Sequence, residues 1–267
     1  MIDTSRISFL GPGLERLWTA TVCVVGVGGG GSHVAQQMAH LGTGVVVPID
    51  PDKLARSNVN RVPCSRYADV GRPKAEIFAE RLRGLGGRVV PVVGRAESVT
   101  GRAWIERADL VIGAVDGARA RKNIERICRG ALVPYIDIGL KIDIDDVGRV
   151  RAIGGQVFTS LPGGPCMWCA EILTEASLAR DREEYTVGLP EQQVISLNGL
   201  LASQAVNNAL SLLTGYVPDF PVRAVIRYDG LVHEMRPDPY VIGPCPHHPP
   251  QEAGWCHVLP PRRGGTS

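Results

Sequence analysis

The 267-residue sequence predicts an α/β fold, a doubly wound and mainly parallel sheet with a C-terminal antiparallel extension. Three observations predict it. Short β-branched apolar runs alternate with helical stretches through the first half of the chain. The first of these runs ends in a cluster of glycines that opens a helix. The second half changes character, with a turn-rich segment, one long apolar stretch and a hairpin.

The elements follow in order. Residues 1–20 are a lead-in. Thr21–Gly26 (TVCVVG) is apolar without alternation, as suits a strand covered on both faces. A glycine turn leads into a helix over Ser32–Leu41, and Val45–Ile49 is a second strand closing at Asp50. Lys74–Leu82 reads as helix, Arg88–Val93 and Asp109–Ala114 as strands, Ala118–Arg129 as helix and Leu132–Ile138 as strand. The segment from Gly163 to Cys169 is tight and turn-rich, and Arg180–Glu184 is a charge cluster expected in an exposed loop. Gln192–Leu213 has the length and apolar spacing of a long, largely buried helix. Val222–Tyr228 and Leu231–Met235 form a hairpin around Asp229-Gly230. The Pro-, Gly- and His-rich end reads as loop, with a disordered tail over 260–267. The expected organisation is one domain over 21–259, with a nucleotide-binding half over 21–140 and a second half over 141–259.

Composition excludes several classes. A net charge of +2 provides no electrostatic case for nucleic acid or a membrane surface as partner. The apolar runs are too short or interrupted to span a bilayer, and MIDTSRISFL has no signal-peptide pattern. The chain therefore reads as cytoplasmic, and its seven cysteines as thiols or metal ligands instead of a disulfide framework.

Gly26-Val27-Gly28-Gly29-Gly30-Gly31-Ser32 follows a strand and opens a helix, which is the context a phosphate-binding turn requires. Glycines let backbone N–H groups approach phosphate oxygens, and the helix N-terminus adds favourable partial charge. Asp50, at the end of the next strand, is placed to hold a ribose hydroxyl. NAD, FAD and ATP all fit such a turn.

Downstream come Asp50-Pro51-Asp52, Ser57-Asn58-Val59-Asn60-Arg61, Asp69-Val70-Gly71-Arg72-Pro73-Lys74, and then Asp116 and Arg119 after a strand. Taken singly, the basic residues are solvated charges, Asp116 a helix N-cap and Asn58 a turn residue. Taken together, in this order and spacing, they resemble the ThiF/MoeB/HesA superfamily, the bacterial relatives of ubiquitin-activating enzymes, from about Phe9 to about His248. The resemblance implies a Rossmann-like adenylation domain that uses ATP and Mg²⁺ to activate a carboxylate as an acyl-adenylate. Gly26, Gly28, Gly29, Gly31, Ser32, Asp50, Asp52 and Asn58 would contact the nucleotide. Arg61 and Lys74 would meet the charge that grows on the phosphates, and Asp116 would hold magnesium. The family also places an N-terminal arginine on the neighbouring subunit's ATP. Arg6, ahead of Phe9-Leu10-Gly11, fits better than Arg16, although the usual R-Y-x-R-Q pattern is absent. A homodimer is implied.

Cys166-Met167-Trp168-Cys169 has the spacing of half a tetrahedral zinc site. The family usually supplies a second C-x-x-C near the C-terminus. Here that segment is Cys245-Pro246-His247-His248, so the expected ligands are Cys166, Cys169, Cys245 and His248, with Cys256 and His247 as alternatives. Many relatives carry a reactive cysteine in the crossover loop, but residues 170–190 contain none. The acyl donor expected is the C-terminus of a ubiquitin-like or sulfur-carrier protein, or of a peptide. Two rival readings remain open: an NAD- or FAD-dependent oxidoreductase, and an inactive partner subunit of an activating enzyme.

Overall fold

The computed structural model describes residues 3–187, 192–217, 223–239, 241 and 245–248; Cys256 and the tail over 260–267 lie outside them. The sheet is built on β1 (Thr21–Val25), whose residues alternate between two cores. Val22 and Val24 face one apolar layer with Met38 and Leu201. Cys23 and Val25 face the other with Ile124, Ile127 and Cys128. That two-sided burial is why the run is apolar at every position.

Beside β1 stand β2 (Val45–Ile49), β3 (Arg88–Val89), β4 (Leu110–Gly113) and β5 (Tyr135–Ile144), all parallel to their neighbours. Then β6 (Val150–Ser160), β7 (Val225–Asp229) and β8 (Glu234–Pro237) continue the same sheet antiparallel. The eight strands lie in the order β3-β2-β1-β4-β5-β6-β7-β8, so the expected parallel sheet with an antiparallel extension is present. Helix α2 (Gly29–His40) and the long α7 (Ile195–Thr214) pack together on one face, and α5 (Ala118–Gly130) covers the other.

Several elements differ from expectation for visible reasons. The lead-in contains α1 (Gly13–Thr19), which buries Leu14 and Leu17. A further short helix, α4 (Val99–Ile105), starts at Ser98, whose Oγ accepts the Gly101 N–H. The strand expected over Arg88–Val93 stops at Val89, because Pro91 has no N–H to pair, and the ladder resumes only at Val92 opposite Ile49. Leu132 adopts φ 57° in a turn, so β5 starts at Tyr135 instead of at Leu132. β5 then runs on to Ile144 and returns as β6 around Asp145, whose Oδ1 accepts the Val147 and Arg149 N–H groups. Arg180–Glu184 lies in a helix, α6 (Glu175–Val187), and not in a loop. Thr174 and Ser177 cap it reciprocally: each backbone N–H donates to the other's hydroxyl, at 2.9 and 3.0 Å. Leu231–His233 forms the turn that Leu231–Met235 was expected to continue as strand, with His233 at φ 56°.

The glycine turn is a steric requirement as well as a chemical one. Gly26 has φ 81°, and a Cβ added at Gly31 would stand 1.8 Å from the Gly26 carbonyl oxygen. At Gly30 the nearest atom to such a Cβ is 3.6 Å away. Gly31→Ala should therefore destabilise the protein by about 1–3 kcal/mol, while Gly30→Ala should be neutral or stabilising by up to about 1 kcal/mol. Denaturant melts of the two variants check this; equal losses would contradict it.

Candidate active site and a cysteine–histidine cluster

In the sheet order, β1 and β4 are neighbours whose following connections depart in opposite directions, to β2 and to β5. Beyond the carboxyl ends of two such strands a crevice must open. Two connected cavities fill it. The larger, about 680 Å³, is lined by Gly26, Gly28, Asp50, Asp52, Arg119 and Asp116. The smaller, about 320 Å³, is lined by Gly28, Gly29, Asn58, Arg61, Arg121 and Asn198. Lys74, Asp116 and Gly28 border both.

The crevice thus gathers Gly26, Gly28, Gly29, Asp50, Asp52, Asn58, Arg61, Lys74 and Asp116 from segments scattered over the first half of the chain. Three expected contacts stand elsewhere. Gly31 and Ser32 are buried behind the turn, where Ser32 Oγ donates to the Gly29 carbonyl at 2.9 Å. Arg6 is exposed on the lead-in and lines neither cavity of its own chain.

Asp50 organises the crevice. Its Oδ2 accepts the Val27 N–H and its Oδ1 the Asp52 N–H, both at 2.8 Å, so one carboxylate ties the glycine turn to the end of β2. Burial pushes this carboxyl up from its ordinary value, and the Lys74 ammonium pulls it back. Lys74 Nζ lies 3.0 Å from Asp52 Oδ2 and 4.0 Å from Asp50 Oδ1. Arg61 is held by two bonds: Nη1 donates to the Ser57 carbonyl at 2.5 Å and Nε to Gln193 Oε1 at 3.1 Å. Asn58 serves the turn, accepting the Ala55 N–H at 3.0 Å, while also facing the crevice. Asp116 is exposed at the mouth where β4 hands over to α5.

Among the crevice residues that escaped the sequence reading are Arg121, Asp181, Gln193 and Asn198. Asp181, on α6, accepts the Arg119 N–H at 2.9 Å and so caps the start of α5. Nothing in its local sequence marks it, since the partner amide is distant in the chain. Gln193 lies just before α7 and Asn198 in its first turn, and their residue types carry no motif.

A second cluster lies away from the crevice. Cys166, Cys169, Cys245 and His247 bring their ligand atoms within 4.8 Å of one another. The sulfur of Cys169 is 3.7 Å from that of Cys166 and 3.8 Å from that of Cys245. His247 Nδ1 is 3.6 Å from Cys166 Sγ and 3.4 Å from Cys169 Sγ. Tetrahedral zinc, with bonds of about 2.3 Å to sulfur and about 2.0 Å to nitrogen, requires sulfur–sulfur edges of about 3.8 Å and sulfur–nitrogen edges of about 3.5 Å. The donor set therefore fits zinc. Among the described residues the histidine in this set is His247, while the expected ligand His248 has its Nδ1 3.5 Å from Cys245 Sγ.

The fold and both sites can now be set beside known proteins. A profile of the ThiF family matches residues 4–240, and the chain belongs to that family. It is 34% identical over 163 residues to the SAMP-activating enzyme E1 of Haloferax volcanii, covering 60% of this chain and 57% of that protein. It is 28% identical over 229 residues to the molybdopterin-synthase adenylyltransferase of Escherichia coli, covering 84% of each. Among solved structures, E. coli MccB superposes with a TM-score of 0.71 at 19% identity, over 90% of this chain and 69% of that one, which shows a shared fold.

One buried pair behind the crevice makes a direct prediction. Asp137 is fully buried; it accepts from Arg121 Nη1 at 2.5 Å and from the Tyr135 hydroxyl at 2.8 Å. Burial raises its carboxyl to about 6, with Arg121 opposing that rise. The folded value exceeds the unfolded one, so this group's contribution to stability falls as pH rises from about 4 to about 6 and is flat above. Arg121→Met leaves the carboxylate without its cation, and should cost about 3–5 kcal/mol at pH 8. The loss should shrink at pH 5, where the carboxyl is protonated. Melts at both pH values check this; an equal loss at each would contradict it.

Proposed function

We propose that the protein is an ATP-dependent adenylyltransferase that activates a carboxylate, at the C-terminus of a ubiquitin-like or sulfur-carrier protein or of a peptide, as an acyl-adenylate. The observation that carries this reading is the joining of Arg61, Lys74 and Asp116 to the glycine turn in one crevice. Hydride transfer has no use for two cations and a carboxylate there, which disfavours an oxidoreductase. The similarity to the molybdopterin-synthase adenylyltransferase supports the same reading.

The larger cavity takes the nucleoside. Each Asp50 oxygen keeps a lone pair beyond the one used by a backbone amide, so it can still accept from a ribose hydroxyl. The phosphates lie at the first turn of α2. A donor carboxylate oxygen bonds to the α-phosphorus, and the bond to the β-phosphoryl group breaks, its electrons leaving with pyrophosphate. Lys74 gives up its contact with Asp52 to meet the growing charge, and Arg61 forks onto phosphate oxygens. Magnesium, which needs only one or two carboxylates beside phosphate oxygens, would be held by Asp116 and would neutralise phosphate charge. No cysteine occurs over residues 170–190, so the nucleophile that takes the acyl group next comes from the substrate or a partner. The proposed assembly is a homodimer in which Arg6 reaches the neighbouring crevice. Among the described residues no helix is long and apolar enough to cross a membrane.

The second cluster is proposed to hold a structural zinc through Cys166, Cys169, Cys245 and His247, pinning the C-terminal segment to the turn after β6.

Two experiments test these readings. With a carrier or peptide that supports ATP–pyrophosphate exchange, Asp116→Ala should lower the rate by about 100-fold or more while the melting temperature holds; full exchange in the variant would refute the metal role. Elemental analysis should find one zinc per chain, lost in His247→Ala and kept in His248→Ala; the reverse pattern would restore His248 as ligand.

A further inference from the structure

Asn198 lies one turn into α7 and is only 5% exposed. Its Nδ2 is buried and has no hydrogen-bond partner among the described residues. Burying an amide donor without a partner is costly, and an aliphatic side chain would fill the position without that cost. The α7 residues that follow it in the core over the next two turns, Leu201, Ala202 and Ala205, are aliphatic. An unpaired polar group in such a setting calls for a ligand.

Its position says which ligand. A Cβ added at Gly29 would stand 2.3 Å from Asn198 Nδ2 and 2.9 Å from Gln193 Oε1, so both side chains press on the first turn of α2. Asn198 borders the smaller cavity with Gly28, Gly29, Arg61 and Lys74. The unused donor therefore lies where the turn's amides, the helix N-terminus and two cations converge, a setting that selects a phosphoryl oxygen. Gln193 lies beside it and is held by Arg61 Nε. If Arg61 turned to phosphate, Gln193 would lose that bond and be free to move from beside Asn198.

We propose that Asn198 is a catalytic residue whose Nδ2–H donates to a nonbridging oxygen of the nucleotide's α-phosphoryl group. The proposal rests on the adenylation reading and deepens it. As the donor carboxylate oxygen bonds to phosphorus and the bond to pyrophosphate breaks, charge gathers on that oxygen. A neutral donor fixed beside it then binds the transition state more tightly than the ground state, and no proton is transferred.

The test measures binding of ATP, AMP and adenosine by calorimetry to the full chain and to Asn198→Ala and Asn198→Asp. Asn198→Ala should weaken ATP and AMP by roughly tenfold and leave adenosine unchanged. Asn198→Asp, of the same shape but with an acceptor in place of the donor, should weaken ATP and AMP further. Without ligand, Asn198→Ala should lower the melting temperature only by what the void left by the smaller side chain costs, since Nδ2 has no partner among the described residues. If Asn198→Ala fails to fold, Asn198→Asp decides by the same comparison. ATP affinity within twofold of wild type, or an equal loss for adenosine, would overturn the role of Asn198 alone. A wild-type chain that does not bind ATP would overturn the adenylation reading and this inference with it.

Discussion

The Asp50 carboxylate is the joint on which the crevice depends. One oxygen holds the Val27 amide inside the glycine turn and the other holds the Asp52 amide beyond β2. The two bonds hold the turn against the adjacent strand, and Asp52 in turn pairs with Lys74. The cost is a carboxylate only 3% exposed, which burial makes harder to ionise and which the Lys74 ammonium helps keep charged. Lys74 thus stabilises a buried anion at rest, and in the proposed reaction the same ammonium would meet phosphate charge.

Helix α5 carries the second theme. Asp116 and Gly117 precede its first turn, Arg121 lies one turn further on, and Glu125 comes a turn beyond that. Arg121 pairs with buried Asp137 behind the crevice. Glu125, raised to about 7 by burial, accepts the Met167 N–H between the two cysteines of the cluster at 2.9 Å. Arg129 closes the end of the helix by donating to Ser160 and to the Gly164 carbonyl. One helix therefore joins the crevice to the cysteine–histidine cluster through hydrogen bonds to buried polar groups. Such groups are costly unless paired, which makes the connection stiff. The cluster's ligand residues line neither cavity, yet the same helix reaches both.

The legible part of the fold was the part governed by local rules. β1, β2, α2, α3 (Lys74–Arg81) and α5 were visible because apolar runs, glycines and helix formers announce themselves within a few residues. The crevice residues Asp50, Arg61, Lys74 and Asp116 were visible because their order and spacing form a pattern. The long β5–β6 hairpin was not, because its distal half is exposed and mixes charged with apolar residues. Helix α6 looked like a solvated loop because its charge hides a capping pair one turn upstream. Asn198, Gln193 and Asp181 were beyond reach for another reason: each gains meaning only from a distant partner, Gly29, Arg61 and the Arg119 amide respectively. Spacing does not separate His247 from His248; the structure adds that His247 brings a ring nitrogen within 4.8 Å of the three sulfurs.

The most direct test of the central claim is a crystal structure of the protein with a non-hydrolysable ATP analogue. The account predicts phosphates on the first turn of α2 between Lys74 and Arg61, the ribose beside Asp50, and both Asp50 bonds to the Val27 and Asp52 amides intact. Phosphates bound away from the glycine turn, or an Asp50 carboxylate detached from those amides, would contradict it.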